Sequence, residues 1–282
     1  MLKGQTGGNR RFSKGRDYTG NHAPLHDADE LSAMRRACQL AAATLDYITD
    51  FVEPGVSTGK LDQLIEAYMR ENGAVPATLG YKGFPASSCI SINHVVNHGI
   101  PDDQKLLMDG DIVNIDVTVI LDGWYGDTSR TYAVGENVKV LARRLIDATY
   151  EAMMAGIAEV APGKHMGDVG WAIRQVCERE RFSSVLEFGG HGVGRKFHDS
   201  PFVLHWAEEP GEGIELEPGM FFTVEPMINA GKRHTKILAD GWTTVTRDRS
   251  LSCQFEHTVA VTETGHDILT LSPRGYTKPP YV

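Results

Sequence analysis

Leu107-Met108-Asp109-Gly110-Asp111-Ile112-Val113-Asn114-Ile115-Asp116 is echoed 109 positions later by Leu216-Glu217-Pro218-Gly219-Met220-Phe221-Phe222-Thr223-Val224-Glu225. Each copy reads as a glycine turn followed by a strand that ends on a carboxylate. Two Pro-Gly turns, Pro54-Gly55 and Pro162-Gly163, lie 108 residues apart, close to the same offset. Two independent matches at nearly one spacing point to an internal duplication. Each half would then supply one acid to a shared, negatively charged site of the kind that holds metal.

Helical patterns precede both strands. From Asp29 to Phe51 the apolar residues Leu31, Met34, Leu45 and Ile48 recur at helical spacing, and Glu53-Pro54-Gly55 ends the run. Ser57 or Thr58 caps a second helix carrying Leu61, Leu64, Ile65 and Tyr68, which Asn72-Gly73 stops. The plan repeats: Ala148 to Val160 reads as helix, Ala161-Pro162-Gly163 breaks it, and Val169, Ile173 and Val176 continue on another. Each half becomes two helices followed by antiparallel strands, an α+β arrangement.

The strand from Ile112 to Ile120 alternates. Val113, Ile115, Val117 and Val119 face a core, while Asn114, Asp116 and Thr118 share the other face. Asp122-Gly123 is a strong hairpin signal, and a two-residue loop there pairs Leu121 with Trp124 and Thr118 with Asp127. Asp127 therefore projects on the same side as Asp116, its diagonal neighbour about 7–8 Å away. Two inward-facing like charges beside an apolar layer call for a cation or a proton.

Composition narrows the function. A chain of 282 residues with 41% hydrophobic content can bury a large core, and a net charge of −9 argues against nucleic acid, DNA included, as the main substrate. Cys38, Cys89, Cys177 and Cys253 have no C-x-x-C spacing, which suits free thiols in a reducing cytoplasm, and no stretch reads as a membrane span. Residues 1–24 hold Lys3, Arg10, Arg11, Lys14 and Arg16 against Asp17 alone and lack the apolar core of a signal peptide. They read as a flexible basic tail, either simply solvated or drawn to an RNA-rich surface. Residues 25–282 form one domain with halves of about 27–137 and 138–282.

The remaining chemical residues lie in three places. Gly189-Gly190-His191-Gly192-Val193-Gly194 lacks the lysine and serine of a phosphate loop, so its glycines read as backbone crowding a site where His191 supplies an imidazole. His198 offers a second imidazole and His98 a third. Gln254-Phe255-Glu256-His257-Thr258 puts another acid in an alternating strand.

Asn114-Ile115-Asp116-Val117-Thr118, Gly126-Asp127-Thr128-Ser129, Gly190-His191-Gly192-Val193-Gly194, Thr223-Val224-Glu225-Pro226-Met227 and Gln254-Phe255-Glu256-His257 together resemble, in order, the metal-binding motifs of type I methionine aminopeptidases. The resemblance runs from about Asp29 to Leu271. It implies the pita-bread fold, with pseudo-twofold half-domains of helices packed on a central antiparallel β-sheet. It also implies removal of the initiator methionine from nascent chains whose second residue is small. Asp116 would chelate one divalent ion, Asp127 and Glu256 would bridge two, and His191 and Glu225 would complete the other; Co, Mn, Fe or Zn would serve. A water acidified between the cations would attack the first peptide carbonyl, with the substrate's α-amine at a metal. Glu225 would carry the proton, His198 would stabilise the oxyanion and His98 would hold or protonate the scissile nitrogen.

By the same resemblance Thr78, Tyr81, Phe84, Cys89, Phe197 and Trp242 would form the methionine slot beside His98 and His198. Asn93, Val95 and Ser252 would bind a monovalent cation, Na or K. Asn97, Thr78 and Lys82 depart from common family residues, which bears on the tolerated second residue. A monomer with transient ribosome contact is expected. Two other readings are an Xaa-Pro aminopeptidase or dipeptidase of the same fold and a non-catalytic ribosome- or RNA-binding relative. Retention of all five candidate ligands weighs against the second.

Overall fold

The first helix opens on a reciprocal cap: the Asp27 carboxylate accepts from the Glu30 N–H, and the Glu30 carboxylate accepts from the Asp27 N–H. Ser57 caps the second in the expected way, accepting from the Lys60 N–H. In the computed structural model, which describes residues 11–281, β1 (Arg11–Phe12) and β2 (Pro24–Leu25) precede α1 (Ala28–Thr49) and α2 (Thr58–Glu71). Then come β3 (Val75–Pro76), β4 (Cys89–Ile92), β5 (Val95–Asn97), β6 (Ile112–Leu121) and β7 (Trp124–Ala133). The second half has α3 (Val140–Ala158), α4 (Met166–Glu180), β8 (Ser183–Ser184), β9 (Gly190–Gly192), β10 (Asp199–Val203), β11 (Phe221–Val224) and β12 (Met227–Asn229). It ends with β13 (Thr235–Ile237), β14 (Thr244–Thr246), β15 (Ser252–Gln254), β16 (His257–Val261) and β17 (His266–Ile268).

Corresponding hydrogen bonds bear out the duplicated, α+β plan. The Gly55 N–H donates to the Leu107 carbonyl at 2.8 Å, and the Gly163 N–H to the Leu216 carbonyl at 3.1 Å. Leu107 in turn donates to Val56 and Leu216 to Lys164. Gly110 and Gly219, the turn glycines of the repeat, both sit at positive φ, +97° and +95°, a backbone region nearly closed to other residues.

Each half owns a core. Val113, Ile115, Val117 and Val119 of β6 are fully buried against α1 and α2, with Met34, Leu45, Leu61 and Ile65. Phe222 and Val224 of β11 pack with Leu145, Met153, Val169 and Ile173 of α3 and α4. The helices thus cover the outer faces of the strands and leave the inner faces to polar residues. Gly126 lets α1 lie directly on β7, because a Cβ there would run into the Ala37 backbone. Asp127, the next residue, consequently points away from α1.

Two expectations differ from the structure. Helix α3 begins at Val140 rather than Ala148; exposed Val140 and Leu141 blur the stripe that buried Ala142, Leu145 and Ile146 carry. The tail expected to reach residue 24 is not a free tail over residues 11–24: β1 and β2 pair, and Ala23 is fully buried. Asp17 is buried too, and its carboxylate accepts from the Thr19 and Asn21 N–H groups, the Ser200 hydroxyl and the Phe202 N–H. Polar composition that reads as solvation is here spent on local hydrogen bonds. Lys3 and Arg10 lie outside the described residues.

Candidate active site

The hairpin of β6 and β7 has the register expected from Asp122-Gly123. Both turn residues take positive φ, Leu121 faces Trp124 and Thr118 faces Asp127. Thr118 donates its hydroxyl to Asp127 at 2.6 Å, while Asp116 lies between Cys89 of β4 and Ser129 of β7. In the second half β11 pairs with β16, Val224 opposite His257, so Glu225 and Glu256 are the residues just past that ladder's end. A bridge between Ser129 and Glu256 joins β7 to the second half. It brings oxygens of Asp116, Asp127 and Glu256 within 4.8 Å of one another.

His191 closes the group. Its Nε2 stands 3.5 Å from an Asp127 oxygen and 3.7 Å from a Glu225 oxygen. Its Nδ1 lies 3.1 Å from the Gly192 carbonyl, so a proton on Nδ1 leaves the Nε2 lone pair facing the acids. The surrounding glycines act as the sequence suggested. A Cβ at Gly190 would meet the Thr223 carbonyl, and one at Gly192 the Ser200 carbonyl.

Burial raises Asp116 to about 7. It pushes Asp127, Glu225 and Glu256 well above the ordinary carboxylate range, and the like charges of neighbouring acids add to each. Burial lowers His191 to about 4. Clustered acids that resist ionising, beside an imidazole that resists protonation, are stabilised together by divalent cations. Oxygen donors with one imidazole suit such ions.

Residues to which the sequence reading gave no role brace these acids. Thr223 accepts the His191 N–H at 3.0 Å and donates its hydroxyl to Glu225 at 2.7 Å. Gln254 donates to the other Glu225 oxygen at 3.1 Å. The Glu225 N–H donates to Nε2 of buried His205 at 3.0 Å. Thr223 was within reach of sequence logic, two residues from Glu225 on one strand face; His205 carried no signal of its own.

One cavity of about 590 Å³ contains the four acids and the imidazole together with Thr78, Tyr81, Phe84, Cys89, His98, Phe197, His198 and Trp242. Phe84 meets Trp242 edge-on with centroids 5.2 Å apart, and Tyr81 stacks on His198 at 5.3 Å. Burial depresses His98 to about 4 and, with the charges of His191 and Lys82, His198 to about 3. Both rings are neutral at pH 7. Asn97 and Thr78 line the cavity as well, and Asn97 Oδ1 and Thr78 Oγ1 are buried without a hydrogen-bond partner.

Asn93, Val95 and Ser252 lie away from this cavity's lining. The Ser252 N–H donates to the Asn93 carbonyl at 2.8 Å, and the Asn93 side chain is engaged with Asp111. Val95 pairs with Val245. Ser252 Oγ is buried without a partner.

The profile of metallopeptidase family M24 matches residues 32–263; the β1–β2 segment falls outside that match. The methionine aminopeptidase of Rickettsia prowazekii is 55% identical over 258 residues, 91% of this chain and 98% of that protein. That of Escherichia coli K12 is 51% identical over 244 residues, 86% and 92% of the two chains. The crystal structure of the Rickettsia enzyme superposes with a TM-score of 0.87 at 55% identity, over 88% of this chain and 100% of the other. An Xaa-Pro dipeptidase from Bacillus anthracis shares the fold at a TM-score of 0.68 and 24% identity, covering 88% of this chain but 62% of its own.

Proposed function

The chain belongs to the type I methionine aminopeptidases of metallopeptidase family M24, and from that premise we propose how its residues divide the work. The observation that carries the reading is the single cavity that holds four raised carboxylates, a neutral imidazole and an aromatic slot. Asp116, Asp127, His191, Glu225 and Glu256 would hold two divalent ions, with Mn, Fe, Co and Zn all suited to this donor set. Bound there, the ions would acidify a water and polarise the scissile carbonyl.

Glu225, steadied by Thr223 and Gln254, takes a proton and returns it to the leaving amine. Neutral His198 donates to the carbonyl oxygen as negative charge develops. Neutral His98 holds the scissile nitrogen by a hydrogen bond. Tyr81, Phe84, Cys89, Phe197 and Trp242, with Thr78, receive the methionyl side chain, and their aromatic and sulfur surfaces favour its polarizable thioether.

The substrates are nascent chains with a small second residue. Four free, buried cysteines support action in the cytoplasm, by a monomer whose transient ribosome contact would fall to basic residues ahead of α1. A Na or K ion at Asn93, Val95 and Ser252 is supported by the unpartnered Ser252 hydroxyl.

Metal-reconstituted protein should release Met from Met-Ala-Ser and leave Ala-Pro peptides uncut. Absence of Met release with Mn, Fe and Co alike would overturn the reading. So would activity that survives Asp116→Ala with Asp127→Ala.

A further inference from the structure

Asp17, Thr19 and Asn21 line the cavity that contains the metal-ligand candidates, although they precede the first helix and lie outside the family match. We propose that residues 17–21 form an outer wall of the substrate channel and bind the backbone of the peptide's third and later residues. This rests on the aminopeptidase reading and adds a specificity element to it.

The wall is built rather than draped. One Asp17 oxygen accepts from the Ser200 hydroxyl at 2.7 Å and the Phe202 N–H at 3.0 Å, which fastens the loop to β10. The other accepts from the Thr19 N–H, the Thr19 hydroxyl and the Asn21 N–H at 2.8, 2.6 and 3.1 Å, which fixes the loop's shape. Backbone bonds from Gly20 to Asp17 and from Asp17 to Asn21 close the turn, with Gly20 at φ +82°. Asn21 Nδ2 donates to the Thr19 hydroxyl at 2.8 Å, which orients both side chains. β10 starts immediately after His198, so the loop is anchored to the strand that leaves the catalytic imidazole.

The cavity size agrees with an extended ligand. At about 590 Å³ it lies in the range of roughly 300–1,000 Å³ that encloses whole drug-sized ligands, more than a methionyl side chain occupies. Exposed Thr19 and Asn21 sit where the channel reaches solvent. With its proton given to Asp17, the Thr19 hydroxyl keeps a lone pair to accept a peptide N–H, while the Asn21 amide keeps one N–H and its oxygen to meet peptide C=O and N–H groups irrespective of side chain.

The test compares kcat/KM of metal-reconstituted full-length protein on Met-Ala amide with that on a Met-Ala-Ser-Lys-Leu pentapeptide. In Thr19→Ala with Asn21→Ala, two exposed positions, the pentapeptide-to-dipeptide ratio should fall about fivefold, the loss of one ordinary hydrogen bond. The change should appear in the pentapeptide KM. Asp17→Ala, which frees the loop from β10, should lower the same ratio at least as much, with a circular dichroism spectrum confirming the fold. An unchanged ratio in the folded double variant would overturn the proposal, as would equal losses on both substrates. If the unaltered chain releases Met from neither peptide, the aminopeptidase reading fails and this inference with it.

Discussion

Asp127→Asn should stabilise the metal-stripped protein while abolishing its activity. Asp127 is buried among Asp116, Glu225 and Glu256, whose charges raise it or are raised by it. Two like charges at the 4.8 Å limit of the Asp116, Asp127 and Glu256 cluster repel by about 3.5 kcal/mol at an effective dielectric of about 20. Protonation gives little relief at pH 8, where a carboxyl with a value of about 7, such as Asp116, is mostly ionised. The amide carries no charge, keeps an acceptor for the Thr118 hydroxyl and gains a donor toward the other acids. A gain of about 2 kcal/mol at pH 8 follows, read from the urea midpoint with chelator present. Saturating Mn should invert the order, because an ion at a hundredfold over its Kd adds about 2.7 kcal/mol per site to the unaltered protein and little to the variant. A metal-stripped variant less stable than its parent would refute the reasoning, as would a gain that survives Mn undiminished.

The same acids make metal uptake proton-linked. Their values are raised in the folded, metal-free protein, so they retain protons at pH 6 that bound ions displace; with Asp116 at about 7, affinity should rise from pH 6 to 8 and fewer protons should be released at the higher pH. Calorimetry in buffers of different ionisation enthalpy measures this, and no release at pH 6 would contradict it. Asp46→Ala should cost about 3–5 kcal/mol in urea unfolding, because it strands buried Arg130, its partner at 2.6 Å, and releases Ser272 and the Arg274 N–H; a loss under about 1 kcal/mol would show the pair is dispensable. Gly126→Ala should destabilise by about 1–3 kcal/mol or more, since its Cβ would press on the α1 backbone at Ala37. An unaltered thermal midpoint would mean that α1 does not seat on β7 so closely.

What was legible in the sequence was local or repeated. Asp116 and Asp127 could be paired because a two-residue loop fixes register over ten residues of each strand. Glu225 emerged from the repeat. Glu256 could not be paired by spacing, since its strand meets β11 across an intervening stretch that includes β12 to β15; only the resemblance pointed to it. Residues 11–24 misled for a different reason. Composition does not distinguish a chain hydrogen-bonded to water from one whose N–H groups converge on a single buried carboxylate, and Asp17 is that carboxylate.

The two acid-ended strands are counterparts that end differently, and the difference suits their assigned work. Asp116 sits midway along β6, flanked by paired strands on both sides and carrying the shorter side chain. Its backbone is fixed by both neighbours while its carboxylate faces the cavity. After Val224 the chain reaches Glu225-Pro226, and proline has no N–H with which to continue the ladder, so β11 stops and Glu225 stands just past its end. The longer side chain is then held by two side-chain donors, Thr223 and Gln254, rather than by strand geometry. On the proposed division of labour, duplication supplied the scaffold, and the proline after the second copy sets the proposed proton carrier just past its strand's end, where side-chain donors rather than a neighbouring strand orient it.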